Sequence, residues 1–247
     1  MKSHSLLDFE WRLPPGVRAA FTTRLGGVSA APWDSFNVAT HVGDDAAHVA
    51  ANRARLRELL GLAAEPAWLN QVHSATVINL DSGVPASPPT ADAAITSRAG
   101  VACVVMVADC LPVLLTTHDG SRIGAAHAGW RGLASGVIEQ AVRALGKPGR
   151  ELRAWLGPCI SREYFEVGDE VREAFMSQDS GVSVYFDRNV RGRWQADLVG
   201  LATFRLGQMG VADITSSSSC TFADREKFYS HRRDGKGGRL AALIWRQ

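Results

Sequence analysis

Cysteine and histidine side chains that could perform chemistry occur in two neighbouring apolar runs of the sequence. Cys110 precedes the run PVLLTT (112–117), and His127 lies seventeen residues after Cys110, inside the run RIGAAHA (122–128). The segment HDGS (118–121) between these runs predicts a hairpin turn. An antiparallel hairpin brings the start of its first strand beside the end of its second, so we expect Cys110 and His127 to converge.

This pair is compatible with two kinds of chemistry. Cys110 could be a nucleophile with His127 as its base, as in a cysteine hydrolase. Alternatively, both residues could be zinc ligands, because thiolate and imidazole are preferred donors for zinc. A catalytic zinc site needs a third protein ligand, and His73 in NQVHS (70–74) is the candidate. We predict that NQVHS lies in a strand over 68–80, where unpartnered polar groups would be costly to bury.

The residues that flank this candidate site favour a ligand-binding role. Asp109 before Cys110 and Pro112 after it predict an interruption of the strand, since proline cannot donate to a central ladder. Further along, AGWRG (128–132) leads into a helix, and its two glycines allow the backbone to approach a ligand closely. Arg131 then stands at a helix N-terminus, which is a suitable oxyanion or phosphate position.

Amphipathic helices and apolar strands alternate along the rest of the chain. Apolar residues at helical spacing predict helices over 44–60, 133–145, 167–177 and 195–206. Strand-like runs predict strands over 17–23, 68–80, 101–107, 112–117, 122–128, 152–157 and 240–245. We expect Asp44 to cap the first helix, and the polar runs 82–90 and 215–221 to be surface loops. Hairpins mixed with helices favour an α+β fold with mixed or antiparallel sheets.

Composition limits the remaining possibilities. A chain of 247 residues with 46% apolar and 21% charged residues is long enough for a substantial core, so we predict one domain over 1–247. The formal charge of +2 and the scattered basic residues give no reason to expect nucleic acid as a partner. The sequence contains neither an apolar signal core nor a membrane span, so a cytoplasmic location is expected. The four cysteines have no CxxC spacing, which disfavours a disulfide framework, and nothing in the sequence demands a dimer, so a monomer is expected.

Several segments, taken together and in order, resemble the YfiH family, long labelled multicopper polyphenol oxidase or laccase-domain proteins. The segments that carry the resemblance are FTTRLGGVS (21–29), NQVHS (70–74), ADCLPVLLTT (108–117), AAHAGWRG (125–132), GPCI (157–160), YFEVGDEV (164–171), DL (197–198) and CTFADREKFYSHRRDGKGGRLAALIW (220–245). They extend over nearly the whole chain. Ser74 is a departure, since the family usually has glycine there.

The resemblance implies a single-domain, layered α/β/β/α fold with mixed sheets, shared with the catalytic domain of cytotoxic necrotizing factor, a Cys-His deamidase. It implies that His73, Cys110 and His127 bind one zinc ion. It further implies a purine nucleoside phosphorylase that acts on adenosine, inosine, guanosine and methylthioadenosine, with adenosine deamination as a second activity. Some relatives are linked instead to the editing of peptidoglycan precursors.

The old oxidase label can be tested against the histidine content. A multicopper oxidase needs roughly ten histidines, commonly in His-x-His pairs, to hold its copper centres. This chain has seven histidines and no His-x-His pair. A genuine laccase is therefore disfavoured, although an adventitious copper ion in the zinc site could give weak oxidase activity.

Phosphorolysis also requires an anion site beside the ribose, which arginine side chains and backbone amides can form. The residues expected to bind substrate or phosphate are Arg24, Asn37, Arg131, Arg232 and Arg233, with Asp92 and His231 as lesser candidates for polar contacts. We expect Cys110, His127, Arg131 and Arg24 to act in catalysis.

Two alternatives to the zinc phosphorylase remain open. One is a metal-independent cysteine hydrolase or deamidase in which Cys110 is the nucleophile. The other is a nucleotide-binding or partner-binding module with a structural zinc ion, which would require a fourth protein ligand.

Overall fold

Strands and helices alternate along the computed structural model, which describes residues 4–247. The strands of this described part are β1 (Val17–Phe21), β2 (Val77–Asn79), β3 (Ala93–Thr96), β4 (Ala102–Val107), β5 (Leu111–Thr117), β6 (Ile123–Ala128), β7 (Leu152–Leu156), β8 (Glu166–Val167), β9 (Phe186–Arg188), β10 (Trp194–Ala196), β11 (Asp213–Ser216) and β12 (Leu240–Arg246). Its α-helices are α1 (Ala46–Leu60), α2 (Trp130–Ala134), α3 (Val137–Ala144), α4 (Asp169–Met176), α5 (Leu198–Gln208) and α6 (His231–Asp234). None of these helices is both long enough and apolar enough to cross a membrane.

A six-stranded mixed sheet holds the predicted hairpin at its centre. Its strand order is β11-β7-β5-β6-β3-β2, with parallel pairing at the two edges and antiparallel pairing between them. β5 and β6 are joined by the turn at residues 118–121, and Pro112 pairs with His127. The predicted hairpin is therefore confirmed, and it brings Cys110, two residues before Pro112, to the same edge of the sheet as His127.

A second, antiparallel sheet of order β1-β12-β4 packs against one face of the first. Side chains alternate between the two faces of a strand, so neighbouring residues enter different cores. On β4, Val105 packs between the sheets and Val104 packs in the outer core with Leu56 of α1. On β5, Leu114 packs between the sheets and Val113 packs in the core formed with α3 and α5. The resulting α/β/β/α layering confirms the predicted fold class.

The helix predictions differ from the structure at two points. Asp45, rather than Asp44, caps α1, and Asp44 instead accepts a hydrogen bond of 2.9 Å from Asn37 Nδ2. The predicted helix over 133–145 is interrupted between α2 and α3, where Gly136 adopts a left-handed φ of 88°. That conformation is open to glycine but breaks the helical hydrogen-bond ladder.

The predicted strand over 68–80 and the predicted loop over 215–221 also differ from the structure. The strand predicted over 68–80 is wrong for most of its length, since only β2 is a strand there. His73 has a left-handed φ of 62°, and its N–H donates to the carboxylate of Asp92 rather than to a neighbouring strand. The predicted surface loop 215–221 begins inside β11 and ends at Thr221, which is fully buried.

Candidate metal centre and adjoining cavities

Three side chains converge at one end of the central strands β5 and β6 of the six-stranded sheet. Cys110 lies in the turn between β4 and β5, His127 lies on β6, and His73 lies in the loop before β2. Their ligand atoms all lie within 4.8 Å of one another, and Cys110 Sγ is 3.7 Å from His73 Nε2. The structure therefore brings together the three residues that the sequence singles out.

The turn that carries Cys110 is held by the neighbouring carboxylate. Asp109 has a left-handed φ of 86°, and its side chain is buried. It accepts hydrogen bonds from Thr221 Oγ1 at 2.6 Å, Ser230 Oγ at 2.9 Å and the Arg232 N–H at 2.7 Å. These contacts supply the partners that a buried carboxylate requires, and they hold Cys110 at the sheet edge.

A second buried carboxylate orients the His127 ring and holds the backbone of His73. Asp92 Oδ1 lies 2.8 Å from His127 Nδ1 and accepts the His73 backbone N–H at 2.9 Å. Its Oδ2 accepts the N–H and hydroxyl of Ser74, at 2.6 Å and 2.8 Å. A carboxylate on Nδ1 favours the tautomer whose Nε2 is free to bind a metal, which is the usual arrangement around metal-bound histidine. The hydroxyl of Ser74, where the family usually has glycine, thus adds one hydrogen bond to the Asp92 carboxylate.

The backbone opposite the three side chains is shaped to leave room between them. A Cβ atom on Gly129 would lie 2.8 Å from Cys110 Sγ and 2.7 Å from His73 Cδ2. Glycine is therefore required for this close approach. Two imidazoles and one thiolate around a small space are a donor set that fits zinc, and three protein ligands leave one position for water or substrate. The arrangement could hold a metal ion.

The electrostatics of the group favour a thiolate. Burial raises the pKa of the Cys110 thiol, but the charge and hydrogen bond of His127, together with His73, outweigh it and lower that pKa to about 6. Burial lowers the pKa of His127, whereas Cys110 and the Asp92 carboxylate raise it to about 9. Cys103 and Cys159, by contrast, have pKa values raised by burial. Cys110 is therefore the reactive or metal-binding thiol among these three.

Two cavities adjoin at the candidate metal centre, where His73 and Cys110 line both and His127 lines the smaller one. The larger cavity has a volume of about 470 Å³, and the smaller has a volume of about 180 Å³. The larger is lined by residues that include His73, Cys110, Trp130, Arg131, Phe165 and Arg232. The smaller is lined by residues that include His41, Gln71, His73, Cys110, His127 and Arg239. Ala108 and His231 also belong to both linings, so the cavities adjoin along the candidate metal centre.

The predicted substrate-binding residues fall into two groups. Arg131 and Arg232 line the larger cavity, where the Arg131 guanidinium stacks 4.3 Å above the Trp130 ring and that of Arg232 lies 5.4 Å above Phe165. Arg131 is exposed, as expected for the first turn of a helix. Arg232 Nη1 donates to the Glu166 carbonyl at 2.8 Å, and its other N–H groups and those of Arg131 are available to a ligand beside the metal centre.

The other predicted residues make contacts elsewhere. Arg24 pairs with Asp34 at 3.0 Å and lines a separate cavity. Asn37 is fully buried. Its side-chain amide donates hydrogen bonds to the Ala39 carbonyl and the Asp44 carboxylate, and it accepts one from the Ala39 N–H. The Arg233 guanidinium donates to the carbonyl oxygens of residues 221, 222 and 228. Arg24, Asn37 and Arg233 are therefore not among the described residues that line the two adjoining cavities.

Sequence reasoning gave too little weight to three other residues. Asp92 was a minor candidate for a polar contact, although a lone acid beside the apolar run AAIT is a signal for a buried, partnered carboxylate. For Asp109, the sequence predicts only an interruption of the strand. Arg239 in GKGGR carries no clear sequence signal of a binding role, because a basic residue in a glycine-rich turn is usually solvated.

Comparisons with known proteins extend over nearly the whole chain. Residues 18–247 match the family model described as multi-copper polyphenol oxidoreductase laccase. The chain is 48% identical over 239 residues to purine nucleoside phosphorylase PA4543 of Pseudomonas aeruginosa, which covers 96% of this chain and 97% of that protein. It is 44% identical over 236 residues to purine nucleoside phosphorylase YfiH of Escherichia coli K12, with 96% of each covered. The crystal structure of Neisseria meningitidis protein NMB0706 has a TM-score of 0.94 at 42% identity, covering 98% of this chain and 99% of that one.

Proposed function

The chain belongs to the YfiH family, and from this membership and the geometry of the site we propose that it is a zinc-dependent purine nucleoside phosphorylase. The names of its relatives support an enzyme. We infer that its substrates are adenosine, inosine, guanosine and methylthioadenosine, with inorganic phosphate, and that adenosine deamination is a second activity.

The observation that carries this proposal is the position of the three ligands, of which His73 and Cys110 line both cavities and His127 lines the smaller one. Their ligand atoms lie within 4.8 Å of one another beside a cavity of about 470 Å³. A volume of roughly 300–1,000 Å³ is typical of sites for small organic ligands. A nucleoside in the larger cavity would therefore lie against the metal centre.

The donor set supports zinc in preference to the copper centres of a laccase. Two imidazoles and a thiolate suit zinc, and they also bind copper, so an adventitious copper ion is compatible with the site. In the part of the chain that the structure describes, these three residues are the single group of three or more His, Cys, Asp or Glu side chains that could hold a metal ion. Several copper centres would need more groups of this kind, and the chain has only seven histidines.

The chain's own residues suggest a division of roles within the site. A zinc ion bound by His73, Cys110 and His127 would supply Lewis-acid activation of a water molecule or a substrate oxygen. Trp130 would stack on the purine, and Arg131 and Arg232 would donate hydrogen bonds to polar atoms of the nucleoside. Arg24, Asn37 and Arg233 stay predictions from the sequence, and their present contacts with the protein favour structural roles.

Release of a free base from a nucleoside tests this function directly. Zinc-loaded protein incubated with inosine and phosphate should release hypoxanthine and ribose 1-phosphate, and omission of phosphate should abolish the sugar phosphate. Adenosine should in addition give inosine. No base release from any of the four nucleosides, with phosphate and zinc present, would refute the proposed function.

The metal requirement is tested separately. Purified protein should contain about one zinc per chain, and His73→Ala should lose it. His118→Ala is a matched control, because His118 is exposed on the β5–β6 turn and pairs with Asp213. Full phosphorolysis by metal-free protein would contradict the zinc assignment.

A cysteine hydrolase is the second candidate, and one observation favours it. Cys110, His127 and Asp92 are arranged as nucleophile, base and orienting acid, and the lowered pKa of Cys110 matches an activated thiol. That mechanism does not need His73, whereas the zinc site does. Two results together would therefore support the hydrolase: His73→Ala keeps its full activity, and iodoacetamide abolishes the activity of that variant.

A structural zinc ion in a binding module is the third possibility. It would need a fourth protein ligand, and among residues 4–247 the group contains three. The same assays test it, because a structural site predicts bound zinc without base release.

A further inference from the structure

We propose that the smaller cavity is the binding site for inorganic phosphate, held by the guanidinium of Arg239 and the imidazole of His41. This inference rests on the proposed function, because it assigns the second substrate of the phosphorolysis to a place separate from the nucleoside. Arg239 and His41 have no role in the zinc site itself.

The charges that line the two cavities differ in kind. The smaller cavity is lined by Arg239 and several imidazoles, and no carboxylate occurs among the described residues of its lining. The larger cavity includes the carboxylates of Asp109, Glu166 and Glu170. A phosphate with two negative charges is repelled by carboxylates and attracted to a partly desolvated guanidinium. The smaller cavity is therefore the better site for an anion.

The Arg239 side chain is held at this cavity without an acidic partner. Its backbone N–H donates to the buried Asn37 Oδ1 at 2.9 Å, which anchors the start of β12. The guanidinium donates two hydrogen bonds from Nη1, to the carbonyls of Gly237 at 3.2 Å and Gly238 at 3.0 Å. Burial lowers its pKa, whereas the charges of Cys110 and Asp109 act in the opposite direction. A half-buried guanidinium whose hydrogen-bond acceptors are neutral backbone carbonyls is suited to bind an oxyanion.

The other polar residues of this cavity differ in what they can offer. Gln71 is tied to the neighbouring backbone, because its amide donates to the Met106 carbonyl at 2.8 Å and accepts the Met106 N–H at 2.7 Å, which leaves one amide N–H. It forms part of the wall. Burial and the nearby charges of Arg239 and Arg53 lower the pKa of His41, so its neutral ring offers one N–H donor. His41 and the remaining N–H groups of Arg239 are thus available to a ligand in this cavity, with His231 and the second Gln71 N–H beside them.

The size and position of the cavity agree with this ligand. A volume of about 180 Å³ is below the roughly 300 Å³ at which sites for small organic ligands begin, but it accommodates a phosphate. Because both cavities include His73, Cys110 and His231, a phosphate in one would face a nucleoside in the other. A phosphate oxygen would form a bond to C1′ as the bond from C1′ to N9 of the purine breaks. The hydrogen phosphate gives up its proton in this step, and the purine leaves with one.

Phosphate affinity measured by titration calorimetry tests the proposal without using activity. Zinc-loaded Arg239→Gln should bind inorganic phosphate about 10- to 100-fold more weakly than the wild type, as expected for the loss of a charge-assisted contact. Arg55→Gln removes the same charge from an exposed position on α1 and should leave the phosphate affinity unchanged. Both variants should retain one zinc per chain.

A measurement on the wild-type protein covers the case in which the variant does not fold. Phenylglyoxal modifies arginine, and peptide mass spectrometry identifies the modified residues. Millimolar phosphate should protect Arg239 from modification and leave Arg55 reactive. Equal modification of Arg239 with and without phosphate would overturn the proposal.

The remaining outcomes separate this inference from the proposed function. Equal phosphate affinity in Arg239→Gln and the wild type would mean that the metal or another residue holds the anion, and would overturn the subsite. Absence of phosphate binding to the wild type would do the same. Arg239-dependent phosphate binding without base release from any nucleoside would support the anion site while the phosphorylase function fails.

Discussion

The hydrogen bonds of Asp92 lead to a quantitative prediction for the variant Asp92→Asn. The carboxylate is fully buried and accepts five hydrogen bonds. The donors are the backbone N–H groups of Val72, His73 and Ser74, the Ser74 hydroxyl and His127 Nδ1. Asparagine has the same size but replaces one acceptor oxygen by an NH₂ group, which then faces donors.

The expected magnitude follows from the number of bonds lost. Oδ1 accepts two of the five bonds and Oδ2 accepts three, so either orientation of the amide loses at least two. Hydrogen bonds to a charged group contribute about 1.5–3 kcal/mol each, so the free energy of unfolding should fall by about 3–6 kcal/mol. Loss of the partner that orients a metal-binding histidine typically weakens metal affinity by about 10- to 100-fold.

Two assays and a matched control check these values. Urea unfolding of the metal-free protein gives the loss in stability, and competition with a chelator gives the zinc affinity of the folded protein. Asp81→Asn is the control, because Asp81 also accepts hydrogen bonds, from Thr96 Oγ1 and the Ser97 backbone N–H, at a place outside the metal centre. It should lower stability and leave the zinc affinity unchanged.

The result that would refute this reasoning is specific. If Asp92→Asn lowers stability but binds zinc as tightly as the wild type, then the carboxylate supports the loop and does not orient the histidines. If stability is also unchanged, then the hydrogen bonds to Asp92 contribute little.

Three further predictions test the site and its surroundings. In metal-free protein, the rate of Cys110 alkylation by iodoacetamide should rise with pH through a midpoint near pH 6, because the thiol is protonated below its lowered pKa. Zinc should block the reaction. A midpoint near the usual thiol pKa of about 8.5 would contradict the lowered pKa. Gly129→Ala should weaken zinc binding, since its Cβ would lie 2.8 Å from Cys110 Sγ, whereas Gly207→Ala in α5, with open space around its Cβ, should bind zinc normally. In the wild type, the buried Arg205 pairs with Glu139 at 3.0 Å. Glu139→Gln leaves Arg205 without its counter-charge, so the free energy of unfolding in urea titrations should fall by about 3–5 kcal/mol. A change of less than about 1 kcal/mol would mean that the pair is solvated.

Local patterns predicted the parts of the fold that depend on neighbours along the chain. The β5–β6 hairpin follows from a short turn between two apolar runs, and α1 follows from its helical spacing. Local patterns failed where distant contacts override them. The segment over 68–80 has strand-like composition, but Asp92 binds three of its backbone N–H groups and holds a loop. β3 (Ala93–Thr96) was not predicted, because four buried residues without alternation carry no clear period.

The sequence by itself determined the α+β class and the three chemically capable residues, His73, Cys110 and His127. Residue type and position along the hairpin are properties of the chain that need no coordinates. The tertiary structure decided which other groups serve this site. Arg131, Arg232 and Arg239 line the two cavities while other arginines bind the protein, because a cavity is formed by segments that are far apart in sequence and meet only when the layers pack.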